Sequence, residues 1–519
     1  MSDDIGATRT SSSELSRILD AAATAHPDRP AIVDGADALT YRRLHERVAD
    51  LADRLRSAGV GRGDAVGVHL PRSATAIIAI HAVIATGAVV APLDASDPSE
   101  RTRLLCEQAG IVQMLVPAGA AADDSANGES VTAVGEGLAL VRGADVSEAR
   151  TTPFADPGYL LFTSGSTGVP KGVLLPSGAV AHFARWAAGS LGLQATDRVG
   201  AQAAFTFDLS TFDIFATAVV GATAVIFPEW CKPFPRDTVD WLDAQKITVL
   251  YAVPTLLKGI VGALVAERRE LAELRAIAYA GEPYPAPALQ ELLAAFPSAQ
   301  VRNWYGPTET NVCTAADVRG WTPGRPVPVG MPISGVHGCI VDEDLNPADV
   351  GELVVAGPTL LTGYVVDGSV VDPAVQVSFP DGEVRRAYRT GDRAYRNEAG
   401  ELILLGRADR QIKRRGYRID LTGIESIASE HGRAPGAAAV AIGDDNRIAL
   451  FVDIDPAAPS ASDVLVAVEC AVRSRLPAAA QPDRIIAHSP LPTNGRGKID
   501  RAELEDLAAL TFTNQELSL

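Results

Sequence analysis

Short apolar strands alternate with helices near the start of the chain, and this alternation constrains the fold most. One helix is marked by apolar residues at helical spacing, namely Leu44, Val48, Leu51 and Leu55. Thr40 is placed to cap the start of this helix and Gly59 to end it. Apolar strands at 65–70 and 89–94 enclose a second helix. The alternation predicts an α/β fold with mostly parallel strands.

The length of 519 residues exceeds what one hydrophobic core usually supports. From about residue 320, short strand-like runs lie between Gly and Pro turns, which indicates a β-rich subdomain. The segment after Arg407 has strands and a helix of its own. We therefore predict a large N-terminal domain of mixed parallel sheets (1–408) and a small, mobile α+β domain (409–519). Residues 117–150 are rich in small and polar residues, and we expect a loop-rich surface excursion there.

Composition excludes several classes of function. Hydrophobic residues make up 47% of the chain, and its net charge is −18, which argues against nucleic acid or an anionic membrane as the main partner. No secretory signal or membrane span is recognisable. The five cysteines are odd in number and include no CxxC pair, so neither a disulfide framework nor a zinc site is expected. These features favour a cytoplasmic protein.

The segment YLLFTSGSTGVPKG, residues 159–172, carries the most specific chemistry. An apolar strand leads into hydroxyl side chains, glycines and Lys171. Glycines allow a tight turn whose N–H groups converge on phosphate oxygens, while hydroxyls add donors and the lysine adds a positive charge. A Ser/Gly-rich surface turn has a similar composition, and the segment does not fit the Walker A pattern. The residues by themselves leave both interpretations open.

TSGSTGVPKG resembles the phosphate loop of the adenylate-forming enzymes, which include acyl-CoA synthetases, luciferases and nonribosomal-peptide adenylation domains. Other segments resemble motifs of the same family in its order, namely LTYRRL (39–44), TGAVVAPLD (86–94), FDLS (207–210), NWYGPTE (303–309), GELVVAGPTLLTGY (351–364), YRTGD (388–392), GRADRQIKRRGYRID (406–420) and NGRGKID (494–500). The resemblance spans about residues 40–501. It implies a ligase that forms an acyl adenylate from ATP.

The resemblance also implies an ATP site. In this reaction a carboxylate attacks the α-phosphorus and expels pyrophosphate, so catalysis depends on positioning and charge stabilisation. Glu309 would bind Mg²⁺. Asn303 and Tyr305 would flank the adenine, and Asp392 would accept the ribose hydroxyls. The implied ATP-binding residues are Thr163, Ser164, Gly165, Ser166, Thr167, Gly168, Lys171, Gly281, Glu282, Asn303, Tyr305, Gly306, Thr308, Asp392, Arg407 and Lys498.

Lys498 is the residue that the resemblance implies for stabilising the adenylation transition state, with Lys171 and Glu309 completing the catalytic set. A solvated surface lysine is the usual interpretation of such a position. Asp409 matches the hinge about which the small domain of relatives rotates before thioester formation. Lys413 and Arg414 would lie near the face presented after rotation, and a solvated basic run is the alternative for them.

Asp208 in FDLS indicates the substrate class. Relatives that activate α-amino acids have an Asp here that pairs with the substrate ammonium, since an unpaired buried charge is costly. Capping of the following turn through Ser210 and Thr211 is the alternative role. The implied amino-acid pocket consists of Asp208, Leu209, Phe212, Tyr251, Ala278, Ala280, Trp304, Val312 and Cys313. Its apolar lining without a second charge predicts a small apolar substrate.

The pocket set is similar to that of L-proline ligases that load a carrier protein, from which Phe212, Ala278 and Trp304 depart. L-Proline is therefore the first candidate, followed by alanine or another small aliphatic amino acid. The chain ends soon after Arg501, so we expect a free-standing enzyme that acylates a separate phosphopantetheinylated carrier protein. An MbtH-like activator is a further candidate partner on which no residue bears. The alternatives are an acyl- or aryl-CoA ligase, which Asp208 disfavours, and a catalytically silent binding protein.

Overall fold

The computed structural model describes residues 13–120, 130–143, 154, 156–163, 170–407, 410–430, 432, 434, 436–493 and 499–516. Its α-helices are Glu14–Ala25, Tyr41–Ser57, Ala74–Thr86, Ser99–Ala109, Ser177–Ser190, Thr217–Val220, Pro235–Ala244, Pro254–Glu267, Ala286–Ala295, Leu421–Glu430, Ala461–Arg475 and Arg501–Glu516. A π-helix covers Phe212–Ala216, and short 3-10 helices cover Glu229–Cys231, Thr308–Thr310, Val318–Gly320 and Ala478–Ala480.

The strands, numbered along the chain, are β1 (Pro30–Asp34), β2 (Asp37–Thr40), β3 (Ala65–His69), β4 (Val89–Leu93), β5 (Gln113–Pro117), β6 (Ser130–Gly135), β7 (Leu138–Arg142), β8 (Gly158–Thr163), β9 (Lys171–Pro176), β10 (Arg198–Ala201), β11 (Thr223–Ile226), β12 (Val249–Ala252), β13 (Ala276–Tyr279), β14 (Gln300–Tyr305), β15 (Thr314–Asp317), β16 (Met331–Pro332), β17 (His337–Val341), β18 (Val350–Ala356), β19 (Gly363–Val366), β20 (Ser369–Val371), β21 (Val375–Ser378), β22 (Val384–Arg396), β23 (Leu402–Arg407), β24 (Gln411–Arg414), β25 (Tyr417–Asp420), β26 (Ala437–Ile442), β27 (Arg447–Val452) and β28 (Arg484–Ala487).

Two nine-stranded sheets form most of the N-terminal region, which confirms the predicted α/β class. Their strand orders are β16-β15-β14-β13-β12-β10-β11-β1-β2 and β20-β19-β9-β8-β4-β3-β5-β7-β6. The central strands of each sheet are parallel, for example β10 to β14 in the first. A shared apolar core draws residues from both sheets and from the helices between them. Such strands are buried on both faces, as expected of parallel sheets.

The parallel register of β12, β13 and β14 brings their carboxyl ends to one edge of the first sheet. Tyr251 lies near the end of β12, Ala280 follows β13, and Tyr305 ends β14. The segment after β10 carries Asp208. Ligands of open α/β sheets bind outside the carboxyl ends of the strands, and the fold gathers the predicted pocket residues at such an edge.

A smaller sheet confirms the β-rich subdomain expected after residue 320. Its order is β17-β18-β22-β21, with β23 paired to β22. This pairing sets Asp392 directly opposite Arg407. The C-terminal region has a β24–β25 hairpin, a β26–β27–β28 sheet and separate apolar clusters, and it is α+β as predicted. The proposed boundary at 408/409 lies outside the described residues.

The surface loop predicted for residues 117–150 is wrong over 130–142, where β6 and β7 form a hairpin that pairs with β5. Positive φ angles at Gly135, Glu136 and Gly137 close its turn. β6 is an edge strand, and most of it is exposed. Its side chains therefore lack the apolar alternation by which strands are recognised. Residues 121–129 and 144–150 lie outside the described residues.

Local signals near the N-terminus are confirmed. Thr40 Oγ1 accepts the N–H of Arg43 at the start of helix Tyr41–Ser57, and Gly59 follows its end with a φ of 87°. The five cysteines are all free thiols. Within the described ranges, no helix combines the length and apolar character needed to cross a bilayer.

Candidate active site

A cavity lies between the carboxyl edge of the first sheet, the end of β8 and the β24–β25 hairpin of the small domain. Among the described residues, its lining includes Thr163, Phe207, Asp208, Leu209, Tyr251, Ala280, Gly281, Gly306, Thr308, Val312, Arg407, Lys413, Tyr417 and Arg418. Many of these side chains are far apart in sequence. The fold thus brings together residues predicted for both ATP and substrate.

The predicted phosphate loop connects β8 to β9. Thr163 ends β8 and pairs with Lys171, which begins β9. The predicted residues between them, Ser164, Gly165, Ser166, Thr167 and Gly168, lie outside the described residues. Lys171 Nζ is 5.3 Å from the centroid of the Tyr364 ring. The Tyr364 hydroxyl donates to Glu309 Oε1 at 2.7 Å, so Lys171 and Glu309 approach the same side chain.

Asp392 forms the centre of a buried polar cluster and is 4% exposed. Its Oδ2 accepts a 2.6 Å hydrogen bond from Tyr305, and its Oδ1 accepts from Arg407 Nη1 at 3.2 Å. Burial, followed by the charge of Asp392, raises the pKa of Tyr305 well above its ordinary value, so the phenol stays a donor. These contacts fix the carboxylate, and its two oxygens retain lone pairs for hydroxyl donors.

Backbone geometry positions the NWYGPTE segment. Asn303 is buried, and its Nδ2 donates to the Pro328 carbonyl at 2.7 Å. A Cβ at Gly306 would lie 1.7 Å from the Asn311 carbonyl oxygen, so no side chain fits there. The next residues form the turn Thr308–Thr310, which carries Glu309. The turn directs Glu309 into the interior, where it is 1% exposed.

Glu309 has both of its oxygens bound. Arg418 Nη1 lies 3.0 Å from Oε1 and 2.9 Å from Oε2. Burial raises the pKa of Glu309, but the Arg418 guanidinium and the Tyr364 hydroxyl outweigh it and hold the pKa below its ordinary value. An ionised carboxylate is a hard oxygen donor, so its chemistry fits Mg²⁺. The described residues contain no group of three or more His, Cys, Asp and Glu side chains that could hold a metal ion.

The two basic residues predicted near the cavity have different environments. Lys413 Nζ lies 5.0 Å from the centroid of the Tyr305 ring, and burial lowers its pKa while Asp392 opposes this shift. Arg414 is 3% exposed and pairs with Asp483 at 2.5 Å inside the small domain. Lys413 thus lies at the cavity, whereas Arg414 stabilises the small domain.

Sequence reasoning gave Arg418 no role, although it lies in the quoted motif GRADRQIKRRGYRID. Its position in β25, two residues after Gly416, does not distinguish it locally from the other arginines of that motif. The Gly416 N–H donates to Glu282 Oε1 at 2.7 Å, while Glu282 Oε2 accepts from the Thr255 hydroxyl, also at 2.7 Å. Glu282, predicted for ATP, therefore holds the hairpin of the small domain in this orientation.

Asp208 lies half-buried at the cavity. The hydroxyls of Ser210 and Thr211 donate to the backbone carbonyls of Phe207 and Asp208, at 2.6 Å each. They are thus engaged by the backbone rather than by the Asp208 carboxylate. Burial raises the pKa of Asp208 to about 6, against the opposing effect of the Leu209 backbone. A cationic partner would restore its ordinary ionisation.

Four of the nine predicted pocket residues lie behind the open cavity. Phe212, Ala278, Trp304 and Cys313 are 0%, 0%, 1% and 0% exposed. The Trp304 ring centroid lies 4.8 Å from that of Tyr251 and 5.8 Å from that of Phe212. On its other side it contacts Trp186 at 5.0 Å. This aromatic cluster closes the cavity just beyond Tyr251.

Lys498 and the hinge residue Asp409 lie outside the described residues. Their neighbours show which part of the small domain faces the cavity. Thr493 and Ile499 pair with each other, and Ile499 packs against an apolar cluster of the small domain that includes Leu504. The cavity is instead lined by the β24–β25 hairpin. The described orientation therefore presents the hairpin to the site.

The family model for AMP-binding enzymes matches residues 19–365. The chain belongs to this family. It is 34% identical over 513 residues to L-proline–[L-prolyl-carrier protein] ligase of Streptomyces coelicolor, covering 92% of this chain and 94% of that ligase. A ligase with the same name from Pseudomonas fluorescens is 32% identical and covers 92% and 96%. The predicted resemblance to these adenylate-forming ligases is confirmed.

A solved structure supports the fold of this AMP-binding enzyme. Holo-PA1221, a nonribosomal peptide synthetase protein with adenylation and PCP domains, has a TM-score of 0.77 at 24% identity. The match covers 94% of this chain and 83% of that one. Enzymes of the AMP-binding family use ATP, so the chain is an AMP-forming ligase with ATP as its nucleotide.

The raised pKa of Asp208 predicts a stability change. A carboxyl with a pKa of about 6 when folded and 3.8 when unfolded is destabilising above pH 6, where it is ionised in both states. We expect Asp208→Asn to stabilise the ligand-free protein at pH 7.5 by up to about 3 kcal/mol. The gain should shrink as the pH falls from 6 towards 4, because the folded carboxyl then becomes neutral.

Thermal unfolding at pH 7.5 and pH 5 measures this effect. Asp37→Asn is the matched control, because Asp37 is exposed on β2 and the same amide substitution should change little there. A destabilised Asp208→Asn protein at pH 7.5 would contradict the pKa argument.

Proposed function

We propose that the enzyme activates a small apolar amino acid, with L-proline favoured, as aminoacyl-AMP, and transfers it to the phosphopantetheine thiol of a separate carrier protein. The observation that carries this proposal is the half-buried Asp208, which lines the same cavity as the apolar side chains of Leu209 and Val312. The described residues form no ion pair with this carboxylate. An α-ammonium group would complete it, whereas a fatty or aryl acid would leave it unpaired.

The size of the cavity supports a small side chain. The aromatic cluster around Trp304 occupies the space into which a larger substrate side chain would extend. The names of the two relatives above state that they act on L-proline, whose compact ring suits such a cavity. Because the indole fills so much volume, alanine or another small amino acid is the second candidate.

The nucleotide would occupy the other end of the cavity. Tyr305, Asp392 and Arg407 would bind the adenosine, with Asp392 accepting the ribose hydroxyls. Glu309 would hold Mg²⁺, which when bound neutralises charge on the phosphates. Lys171 and Lys498 would add positive charge for the attack of the amino-acid carboxylate. Each of these side chains would act by positioning a substrate or by compensating its charge.

Rotation of domain 409–519 against domain 1–408 about Asp409 would exchange the Lys498 segment for the β24–β25 hairpin at the cavity. The hairpin orientation would then serve thioester formation, which is the step that needs the carrier arm. The names of both relatives specify a prolyl carrier protein, and this supports a carrier as acceptor. We place the reaction in the cytoplasm. An MbtH-like activator stays an untested candidate.

Substrate-dependent ATP–pyrophosphate exchange tests the proposal. The panel consists of the protein amino acids, D-alanine, small non-protein amino acids, and aryl and fatty acids. We expect L-proline or one small amino acid to stimulate exchange, and Asp208→Asn to abolish that stimulation. Exchange only with acids that lack an α-amino group would favour the acyl- or aryl-CoA ligase alternative.

Lys498→Ala tests the charge assigned to the adenylation step. We expect exchange to fall by about a hundredfold or more, because a transition-state contact of this kind contributes several kcal/mol. Binding of ATP, measured by calorimetry, should change much less. Lys246→Ala, at an exposed lysine that does not line the cavity, is the control and should leave both quantities unaltered. Normal exchange by Lys498→Ala would refute the assignment.

Trp304→Leu tests the size limit. Removing the indole should extend the cavity, so the ratio of kcat/KM for L-leucine or L-phenylalanine to that for L-proline should rise by about tenfold or more. Trp230→Leu is the matched control, because Trp230 is 64% exposed. An unchanged ratio in folded Trp304→Leu protein would show that Trp304 does not limit substrate size.

A further inference from the structure

In the described orientation the Glu309 carboxylate is already paired with a cation from the small domain. Arg418 Nη1 contacts both carboxylate oxygens, at 3.0 and 2.9 Å. Arg418 lies on β25, whereas Glu309 lies in the turn after β14. The Arg418 side chain is 16% exposed and that of Glu309 1%. The contact is therefore a mostly buried ion pair between the two domains.

One buried carboxylate cannot hold two cations in this geometry. A divalent ion bound to the Glu309 oxygens would lie close to the Arg418 guanidinium, and like charges repel strongly where water is excluded. Leaving Glu309 without either partner is also costly, because an uncompensated buried charge is destabilising. Glu309 therefore has two alternative cationic partners, one from the small domain and one from solution.

We propose that Arg418 is a positioning residue that takes Glu309 over from Mg²⁺ when the β24–β25 hairpin docks at the cavity. The inference rests on the proposed function, since it assumes that Glu309 binds the metal accompanying ATP. Docking of the hairpin and occupancy by metal are then mutually exclusive. Once pyrophosphate and its metal had left, Glu309 would be free to pair with Arg418, and this pairing would favour the docked orientation.

Two other interdomain contacts lie away from the Glu309 carboxylate and would not respond to metal binding there. The Tyr417 ring packs edge-on against Phe207, with centroids 4.3 Å apart. Arg475 of the small domain pairs with Glu100 of helix Ser99–Ala109 at 2.5 Å. These contacts contribute to docking whether or not Glu309 holds a metal ion. The Arg418 contact, in contrast, engages the carboxylate proposed to bind the metal, so metal occupancy can act on the position of the small domain through it.

Binding of Mn²⁺, used as a spectroscopic probe in place of Mg²⁺, tests the competition. Its affinity is measured by electron paramagnetic resonance in the presence of a non-hydrolysable ATP analogue. Arg418→Gln removes the competing cation, so the apparent Mn²⁺ affinity should rise about three- to tenfold, as expected when a competing docked population is lost. Equal affinity in the wild type and Arg418→Gln would overturn the proposal.

Arg415→Gln is the matched control for this titration. Arg415 is an exposed residue in the turn of the same hairpin, so its substitution removes the same charge without touching Glu309. The Mn²⁺ affinity of this variant should equal that of the wild type. A rise as large as that of Arg418→Gln would mean that net charge, rather than competition at Glu309, governs the affinity, and would also overturn the proposal.

The position of the small domain gives a second readout. Spin labels at Val350→Cys and Val466→Cys report on the two domains, because these positions are 50% and 55% exposed, and the exposed Cys470 is replaced by Ser. Mg²⁺ with the ATP analogue should shift the distance distribution of the wild type. Arg418→Gln should show a shifted distribution before metal is added. If Mg²⁺ with the ATP analogue leaves the distance distribution of the wild type unchanged, the proposal is overturned.

Arg418→Lys is a conservative variant that distinguishes loss of the Glu309 contact from a folding defect. It keeps a positive charge near Glu309 but loses the planar guanidinium, so both readouts should fall between those of the wild type and Arg418→Gln. Neither readout requires an amino acid or a carrier. Failure of exchange with every amino acid would thus refute the proposed function and leave the docking readouts intact. Failure of the docking readouts would leave amino-acid exchange unaffected.

Discussion

The cavity depends on compensation of buried negative charge. Glu309 and Asp392 come from the large domain and are almost fully buried, so each needs a cationic or hydrogen-bonding partner. Arg407, on the adjacent strand β23, donates a hydrogen bond to one carboxylate oxygen of Asp392. Arg418, on the small domain, forms an ion pair with Glu309. Within the protein itself, the cationic partner of Glu309 is therefore supplied by contact between the two domains, which ties the position of the small domain to the occupancy of the site.

Asp208 differs from the other two carboxylates because its compensation is incomplete. Burial raises its pKa to about 6, whereas Glu309, with Arg418 beside it, has a pKa below its ordinary value. A carboxylate left in this state is destabilising in the ligand-free protein. Pairing of this carboxylate with a cationic group of a ligand would remove the destabilisation and so contribute to the free energy of binding. Glu309 therefore has a charged partner within the protein, whereas the charge of Asp208 can be compensated by a bound ligand.

The sequence predicted those features that depend on local patterns or on motif spacing. Helix Tyr41–Ser57, with its Thr40 cap, follows from apolar spacing and a hydroxyl cap, and the α/β class follows from alternating elements. The hairpin at 130–142 was not predicted from the sequence, because its exposed edge strand has no apolar alternation. The Arg418–Glu309 pair spans 109 residues, and no local pattern indicates which of several arginines reaches the cavity. Residues matched to motifs could be named from sequence, but their partners required the tertiary structure.

The aromatic cluster around Trp304 closes the cavity just beyond Tyr251, and it would restrict the substrate by volume rather than by a specific polar contact. Trp304 is 1% exposed, and its indole N–H has no hydrogen-bond partner among the described residues. A buried donor without a partner costs about 1–3 kcal/mol, so this position is not optimised for stability alone. Strain of this kind persists where function requires it. In the proposed function, the buried indole would exclude large side chains by volume, and the Asp208 carboxylate would attract the α-ammonium group by charge. In the proposed function, the two residues together would favour a small amino acid with an apolar side chain.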